Sequence, residues 1–241
     1  VVSELLGLAA LAPLLDTSLR APVCPEVKVS DASPYGGASV QVSIGRAAAA
    51  ELWRHRVRPG NVDDRINARG VRRSDDAVGE LLEGCPAKPV HAFRLPVGRG
   101  PHINISEARA RRALWRHLAA DPAEHGKRHL VAYDSAVTVG ASVKGRSPSG
   151  CLMRELQITA AHILAIDCQE GALWCASESN LADSGSRQGP IPVPAPRRAW
   201  AAAFIEGDTS AFTARRAGQR GIAVPEADAD ADHRSARDSG L

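Results

Sequence analysis

The stretch EVKVSDASPYGGASVQVSIG, residues 26–45, decides the fold prediction for this chain. Val27, Val29 and Asp31 fall on one face of a candidate strand, so an apolar stripe ends in a carboxylate. The segment ASVQVSI then alternates apolar and polar residues, which is the pattern of a half-buried antiparallel strand. The PYGG between the two segments predicts a hairpin turn. We therefore expect two strands joined by this turn, over residues 26–32 and 38–44.

The bulk composition is that of a globular protein with additional segments outside its core. Hydrophobic residues make up 44% of the 241 positions and charged residues 24%, both ordinary values. Only 4% of the residues are aromatic and 16 are prolines, which indicates that part of the length is not core. The net charge of +3 says little about partners, but arginines cluster in the middle and acids near the C-terminus. The length allows one domain plus appendages.

The cysteines and the apolar runs indicate an intracellular protein. The five cysteines form no CxxC pair and no finger-like spacing, which predicts free thiols in a reducing compartment. No apolar run approaches the roughly 20 residues that a membrane helix needs. LLGLAALAPLL near the N-terminus is short and follows no basic residue, so we expect no signal peptide and no membrane partner. We expect a cytoplasmic or nuclear location and, because the chain starts without Met, a fragment of a longer protein.

The rest of the chain reads as alternating helices and strands, followed by a change in composition. Further strands are predicted over 90–97, 128–134 and 172–177, and helices over 3–15, 106–120 and 152–167, with Ser106 as the cap of the second helix. Three segments are thus expected: an N-terminal lead (1–25), an α/β domain (26–187) and a proline-rich, acidic, disordered tail (188–241). The domain is expected to contain an insertion (46–88) of two short helices around a basic loop.

Four acids occupy comparable places in the predicted elements. Asp31 and Asp134 each end the apolar stripe of a strand, Glu107 lies on the apolar stripe of a helix, and Asp183 follows the fifth strand. If the elements pack into one sheet, the acids converge, and adjacent carboxylates repel unless cations lie between them. Hard oxygen ligands suit Mg²⁺ or Mn²⁺. Two such ions about 4 Å apart are the usual arrangement for in-line displacement at phosphorus.

Four segments of the chain resemble the ribonuclease H region of retrotransposon polyproteins, especially the DIRS-like kind. VSDASPYGGA resembles the first-strand motif of that family, and HINISEARA resembles the second motif, where Glu opens a helix. VAYDSAVTVGASVKGRS resembles the third motif, and ASESNLADSGSR the fourth. The motifs occur in the family's order between residues 26 and 187. The order of predicted strands and helices is also that of the ribonuclease H fold.

The resemblance implies a fold, an activity and a ligand set. The fold is a five-stranded mixed sheet flanked by helices, with Asp31 on the central strand. The activity is cleavage of RNA in an RNA–DNA hybrid by two Mg²⁺ or Mn²⁺ ions, which Asp31, Glu107, Asp134 and Asp183 would hold. It also implies a reverse transcriptase region upstream in the same polyprotein. The chain departs from cellular ribonucleases H in one respect, because Ser177 and Glu178 occupy the region where those enzymes carry a loop histidine.

Several other residues are candidates for substrate contact. Arg109, Arg112 and Arg116 share a helix face, which is either a solvated surface or a set of phosphate contacts. Lys144 and Arg146 in the KGRS segment, and Ser33 beside the first acid, are further candidates for contact with the hybrid. Asn180 either orients the loop that carries Asp183 or caps the last helix.

Two other functions compete with hybrid cleavage. The first is a non-catalytic remnant of the same fold that binds nucleic acid or is purely structural. The second is a DNA-directed nuclease or strand transferase of the same superfamily, which commonly uses three acids in a different layout. VDD at 62–64 superficially resembles a polymerase dyad but lacks flanking apolar strands, so we interpret it as a loop.

Overall fold

A computed structural model describes residues 20–59, 76–95 and 101–210, together with the single positions 2, 5, 6, 9, 18, 212 and 213. Most of the predicted helix over 3–15, the VDD of residues 62–64 and the tail from residue 214 lie outside these described residues. Among the described residues, none of the helices has both the length and the apolar character needed to cross a bilayer. All five cysteines are described and all are free thiols, as expected.

The molecule is built on a five-stranded mixed sheet with the order β3-β2-β1-β4-β5. The contacts of β1 with β2 and of β2 with β3 are antiparallel, whereas those of β1 with β4 and of β4 with β5 are parallel. The predicted mixed sheet is therefore confirmed, with the first strand in its centre. The strands are β1 (Val23–Ser33), β2 (Gly36–Ser43), β3 (Ala87–Arg94), β4 (Arg128–Tyr133) and β5 (Gln169–Trp174).

Seven α-helices and two short 3-10 segments accompany the sheet in the described part of the chain. The helices are α1 (Arg46–Arg54), α2 (Ala77–Glu83), α3 (Ile103–Ala119), α4 (Ala136–Lys144), α5 (Gly150–Ala165), α6 (Asp183–Ser186) and α7 (Ala199–Ile205). The 3-10 segments are Pro122–Glu124 and Ser177–Ser179. Two of the helices, α1 and α2, fall in the expected insertion, whose residues 60–75 lie outside the described range.

Helices cover both faces of the sheet. On one face Val27 and Val29 of β1 pack in a core with residues of α1, α2 and α7. On the other face α3 packs through Leu114 and Trp115 against β4. The half-buried pattern expected for β2 is therefore wrong, since most of its residues are buried on both faces. Both insertion helices belong to the core, because Leu52 of α1 and Leu81 of α2 are fully buried there.

The two glycines of the hairpin lie in β2 and not in the turn, which consists of Pro34 and Tyr35. A Cβ on Gly36 would lie 2.1 Å from the carbonyl oxygen of Phe93 in β3. A Cβ on Gly37 would lie 2.6 Å from the Phe93 ring. The glycines are thus required by the close approach of β3, and their interpretation as turn residues is wrong.

Two helix predictions also need correction. The third helix begins three residues before Ser106, with His102 as its cap, because the His102 side chain accepts a hydrogen bond from the backbone N–H of Asn104. Ser106 is buried within the first turn and is not the cap. Helix α4 lies between a predicted strand and a predicted helix, where the sequence pattern predicted no element. The Ser135 side chain starts it by accepting from the N–H of Thr138, and Gly145 ends it with a left-handed φ of 64°.

The tail prediction is wrong for the residues that immediately follow the last motif. Residues 188–210 are described, and α7 lies among them. Phe204 is fully buried and its ring centroid lies 4.7 Å from that of Phe212. Both rings join the core that also contains Val27 and Leu52. Burial of these two aromatic rings outweighs the proline-rich composition that suggested disorder.

Candidate metal centre

Three of the four predicted acids converge at one end of the central strands. Asp31 lies near the end of β1, Glu107 in the first part of α3, and Asp134 directly after β4. Each offers one carboxylate oxygen, and the three oxygens lie within 4.8 Å of one another. β1 and β4 are parallel neighbours, so their carboxyl ends lie side by side at the same end of the sheet, and α3 packs across β1. The acids therefore form a group that could hold a metal ion.

Two of these carboxylates carry a buried oxygen without a hydrogen-bond partner. Asp31 is 3% exposed and Glu107 is 6% exposed. Neither Oδ2 of Asp31 nor Oε2 of Glu107 has a partner among the described residues. A buried, unsatisfied carboxylate oxygen is costly unless something neutralises it. The cluster thus has the charge and the free lone pairs that a divalent cation requires.

The proton affinity of the cluster is high in the absence of a cation. Burial raises the pKa of Asp31 from its ordinary value of 3.8 to about 7, with the charges of Asp134 and Asp183 adding to the effect and the Ser186 hydroxyl opposing it. Burial raises the pKa of Glu107 from 4.5 to about 9, and the charges of Asp31 and Asp134 add to that shift. Without a cation, Asp31 and Glu107 therefore hold their protons more tightly than ordinary carboxyl groups do, and a bound divalent ion would displace those protons.

Side chains from the last part of the domain hold the first acid in place. Asn180 is buried, its Nδ2 donates to Oδ1 of Asp31 at 3.3 Å, and its own Oδ1 accepts from the N–H of Ala182 at 3.0 Å. Ser33 is also buried, and its hydroxyl donates to the carbonyl oxygen of Ser186 at 2.7 Å. Asn180 therefore orients both the acid and the loop before α6, and Ser33 ties the end of α6 to β1.

The fourth acid does not join the group of three. Asp183 is the first residue of α6, and its side chain is 42% exposed. Its Oδ1 pairs with Nε of Arg187 at 2.9 Å, one turn further along the chain. Its charge is still close enough to raise the pKa of Asp31. Asp183 therefore lies near the cluster, with its carboxylate engaged by an arginine.

Two of the three candidate arginines on α3 join helices together. Nε of Arg109 lies 3.3 Å from Oε1 of Glu155 on α5, and Nη1 of Arg112 lies 2.7 Å from Oε2 of the same residue. Both arginines are partly exposed and line a cleft of about 900 Å³ between α3 and α5. A shared carboxylate partner favours a structural role for this pair over a free phosphate-binding surface.

The remaining basic candidates are exposed. Arg116 lies near the end of α3, Lys144 is the last residue of α4, and Arg146 follows in the connection to α5. Their side chains are free to meet a phosphate backbone.

One positioning residue was missed by the sequence analysis. Asp76 is 2% exposed and caps α2, where Oδ1 accepts from the N–H of Gly79 at 2.7 Å. Its Oδ2 accepts from the N–H of Ala176 at 2.7 Å, just before the segment that carries Asn180. An Asp directly before the apolar AVGELL run is a helix-start signal, so the cap could have been predicted. Its second contact, 100 positions away, could not.

Comparison with models of protein families, with curated proteins and with solved structures gave no match for this chain.

Proposed function

We propose that this chain is a ribonuclease H-like endonuclease that uses divalent metal ions to hydrolyse the RNA strand of RNA–DNA hybrids. It would act within a retroelement replication polyprotein that carries a reverse transcriptase region upstream. The observation that carries the proposal is the convergence of three predicted acids from separate elements, two of them with unpartnered, buried oxygens. The sheet order, with the first acid on the central strand, is compatible with this fold.

The residues of the cluster fit a hard divalent cation. Asp31, Glu107 and Asp134 supply oxygen ligands only, which favours Mg²⁺ or Mn²⁺ over softer metals. When bound, two such ions supply an activated water and neutralise the charge that develops on the leaving 3′ oxygen. The protein's part is to hold the three carboxylates together. Asn180 keeps Asp31 aimed at the other two acids through its hydrogen bond of 3.3 Å.

Asp183 would be a further ligand for a second ion. Its carboxylate is bound to Arg187, but the pair is exposed, and exposed ion pairs contribute only about 1 kcal/mol or less. The carboxylate can therefore leave the arginine at little cost. Arg116, Lys144 and Arg146 offer contacts to the backbone of the hybrid. Selectivity for RNA would come from the 2′-hydroxyls and the shape of the hybrid.

The alternative is a domain of the same architecture that binds nucleic acid without cutting it. The engagement of Asp183 by Arg187 is the observation that favours this alternative, because it leaves three acids in the cluster. Both functions would use the same basic surface to bind nucleic acid, and only the nuclease would cleave it. They are therefore separated by an assay that scores binding and cleavage in the same preparation.

The decisive experiment measures cleavage of an end-labelled RNA–DNA hybrid with Mg²⁺ or Mn²⁺. The test variant is Asp134→Asn, and the matched control is Asp167→Asn, the same change at an exposed residue whose φ of 50° asparagine tolerates. We expect the parent and the control to cut the RNA strand, and Asp134→Asn or a chelator to abolish cutting. Double-stranded DNA and double-stranded RNA of the same sequence should remain intact.

Three other outcomes would each decide against the proposal in a specific way. A folded parent that binds the hybrid without cutting it supports the non-catalytic alternative. Cleavage of double-stranded DNA in preference to the hybrid supports a DNA-directed nuclease. Cleavage that survives both Asp134→Asn and the chelator would come from a contaminant or from a site outside the acid cluster.

A further inference from the structure

A second group of potential metal ligands lies at the opposite end of the central strand. Cys24 is at the start of β1, Glu124 ends the 3-10 segment after α3, and His129 is in β4. One ligand atom from each lies within 4.8 Å of the others. Cys24 and Asp31 are seven positions apart on one strand, which places the two groups about 20 Å apart. The second group therefore cannot share an ion with the three acids.

The hydrogen bonding of His129 leaves one ring nitrogen unpartnered. Its Nε2 lies 2.9 Å from the carbonyl oxygen of Glu124, and a carbonyl only accepts, so Nε2 carries the proton. His129 is fully buried, and Nδ1 has no hydrogen-bond partner among the described residues. That lone pair lies 3.5 Å from Oε2 of Glu124, so two acceptors face each other. Metal-binding histidines commonly have this arrangement, with the second nitrogen donating to a backbone carbonyl.

Two of the three separations between the ligand atoms are close to those around a tetrahedral ion. Bond lengths of about 2.1 Å to nitrogen and oxygen and about 2.3 Å to sulfur, with tetrahedral angles, give separations of about 3.4 Å for N···O and about 3.6 Å for S···O. The observed separations are 3.5 Å between Nδ1 of His129 and Oε2 of Glu124, and 3.9 Å between Sγ of Cys24 and that same Oε2. The third separation, between Cys24 and His129, is at most 4.8 Å, so side-chain adjustment would bring the three ligand atoms to three corners of a tetrahedron.

The charge of the surroundings is also suited to a divalent ion. Lys28 is fully buried, and its Nζ lies 3.6 Å from Oε2 of Glu124, 3.8 Å from Oε2 of Glu26 and 3.7 Å from Sγ of Cys24, so its ammonium would have to stay beside the bound ion. With a neutral Cys24 thiol, the two carboxylates and one ammonium leave a single net negative charge. A divalent cation bound to the Cys24 thiolate makes the cluster neutral. The thiol proton would leave through the Glu26 carboxylate, which already accepts the hydrogen bond from Sγ at 2.9 Å.

From this geometry we infer that Cys24, Glu124 and His129 form a second metal site, for a borderline-soft divalent ion such as Zn²⁺. The mixed sulfur, nitrogen and oxygen ligands distinguish it from the oxygen-only cluster at Asp31. The ion would fasten the Glu124 segment to β1 and β4. Its role is structural, and the inference is independent of the proposed nuclease activity.

The test is a titration of the reduced, metal-stripped full chain with Co²⁺, followed by absorbance. We expect one equivalent to produce tetrahedral d–d bands and a thiolate-to-cobalt charge-transfer band, both abolished by added Zn²⁺. The test variant is Cys24→Ser, with circular dichroism to check its fold. The matched control is Cys151→Ser, which removes an exposed cysteine and should leave the bands intact.

The parent titration can overturn the inference without any variant. Absence of a charge-transfer band in the parent at excess Co²⁺ would show that Cys24, Glu124 and His129 do not bind the metal. A band that persists in folded Cys24→Ser and disappears in Cys151→Ser would assign the metal to an exposed thiol. Repeating the titration with Asp134→Asn should leave the band unchanged, since that variant disturbs only the acid cluster. Loss of the band in this variant would contradict two independent sites.

Discussion

The substitution Glu107→Gln is expected to stabilise the ion-free protein at neutral and alkaline pH. In the folded state the pKa of Glu107 is raised to about 9, mainly by burial, against an ordinary value of 4.5 for the unfolded chain. Between these two values the unfolded state has lost the proton and the folded state retains it, so stability falls as pH rises. Glutamine has the shape of the protonated side chain and no proton to lose, so it removes this penalty.

The size of the effect follows from the pH. A pH of 7 is about 2.5 units above the pKa of 4.5 that the Glu107 carboxyl group has in the unfolded chain. At 1.36 kcal/mol per unit, the parent loses about 3 kcal/mol of unfolding free energy, which the glutamine variant retains. For a domain of this size the melting temperature should rise by roughly 6–12 °C. At pH 4 both states are protonated and the difference should vanish. Saturating Mn²⁺ should reverse the order, because the ion stabilises the parent through the carboxylate that the variant lacks.

The assay is thermal unfolding by circular dichroism at pH 4, 7 and 8, with chelator and with Mn²⁺. Glu178→Gln is the matched control, because it makes the same change at an exposed residue and should leave the melting temperature within about 1 °C. A Glu107→Gln protein that melts at or below the parent's temperature at pH 8 in chelator would refute the reasoning. So would an equal gain at pH 4, since that gain could not come from proton linkage.

Three further substitutions test the fold. Gly36→Ala should cost about 1–3 kcal/mol of unfolding free energy in urea titrations, because its Cβ would meet the backbone carbonyl of Phe93 at 2.1 Å. Phe204→Ala should cost about 3–5 kcal/mol in the same assay, because it empties a fully buried position contributed by α7. Glu170→Gln should cost about 3–5 kcal/mol, because the buried guanidinium of Arg111 loses its carboxylate partner at 2.8 Å.

Each of these substitutions has a control in the same chain. Gly150→Ala adds a methyl group where nothing lies within 4 Å, and should be neutral or slightly stabilising. Val193→Ala changes a residue that is 90% exposed in the same tail as Phe204, and should have no measurable effect. Arg54→Gln breaks an exposed ion pair and should cost less than about 1 kcal/mol. A test substitution that matches its control would contradict the packing described for that position.

Local periodicity in the sequence was sufficient to predict the strands, helix α3 and the apolar stripes on which Asp31, Glu107 and Asp134 lie, whereas the family resemblance implied the mixed five-stranded sheet. Alternation in residues 26–32 marks a strand whatever packs around it, and an acid that ends the apolar stripe is visible in the same window. The convergence of Asp31, Glu107 and Asp134 followed from expecting the strands to share one sheet. Local signals were less useful for helix starts, where His102 replaced Ser106 as the cap of α3.

Contacts between distant parts of the chain decided several features that periodicity could not. Gly36 is required because β3 approaches it, and α7 is ordered because Phe204 and Phe212 reach the core. Asp183 pairs with Arg187 instead of joining the other acids, which depends on how α6 sits on the sheet.

The cluster formed by Cys24, Glu124 and His129 is the clearest case. Its first two members are 100 positions apart, and no spacing rule connects them. The sequence by itself therefore determined which segments form the sheet and which acids end its apolar stripes, because those properties depend on a few neighbouring residues. Only the tertiary structure decided which side chains meet, because close packing brings together groups whose separation along the chain carries no signal.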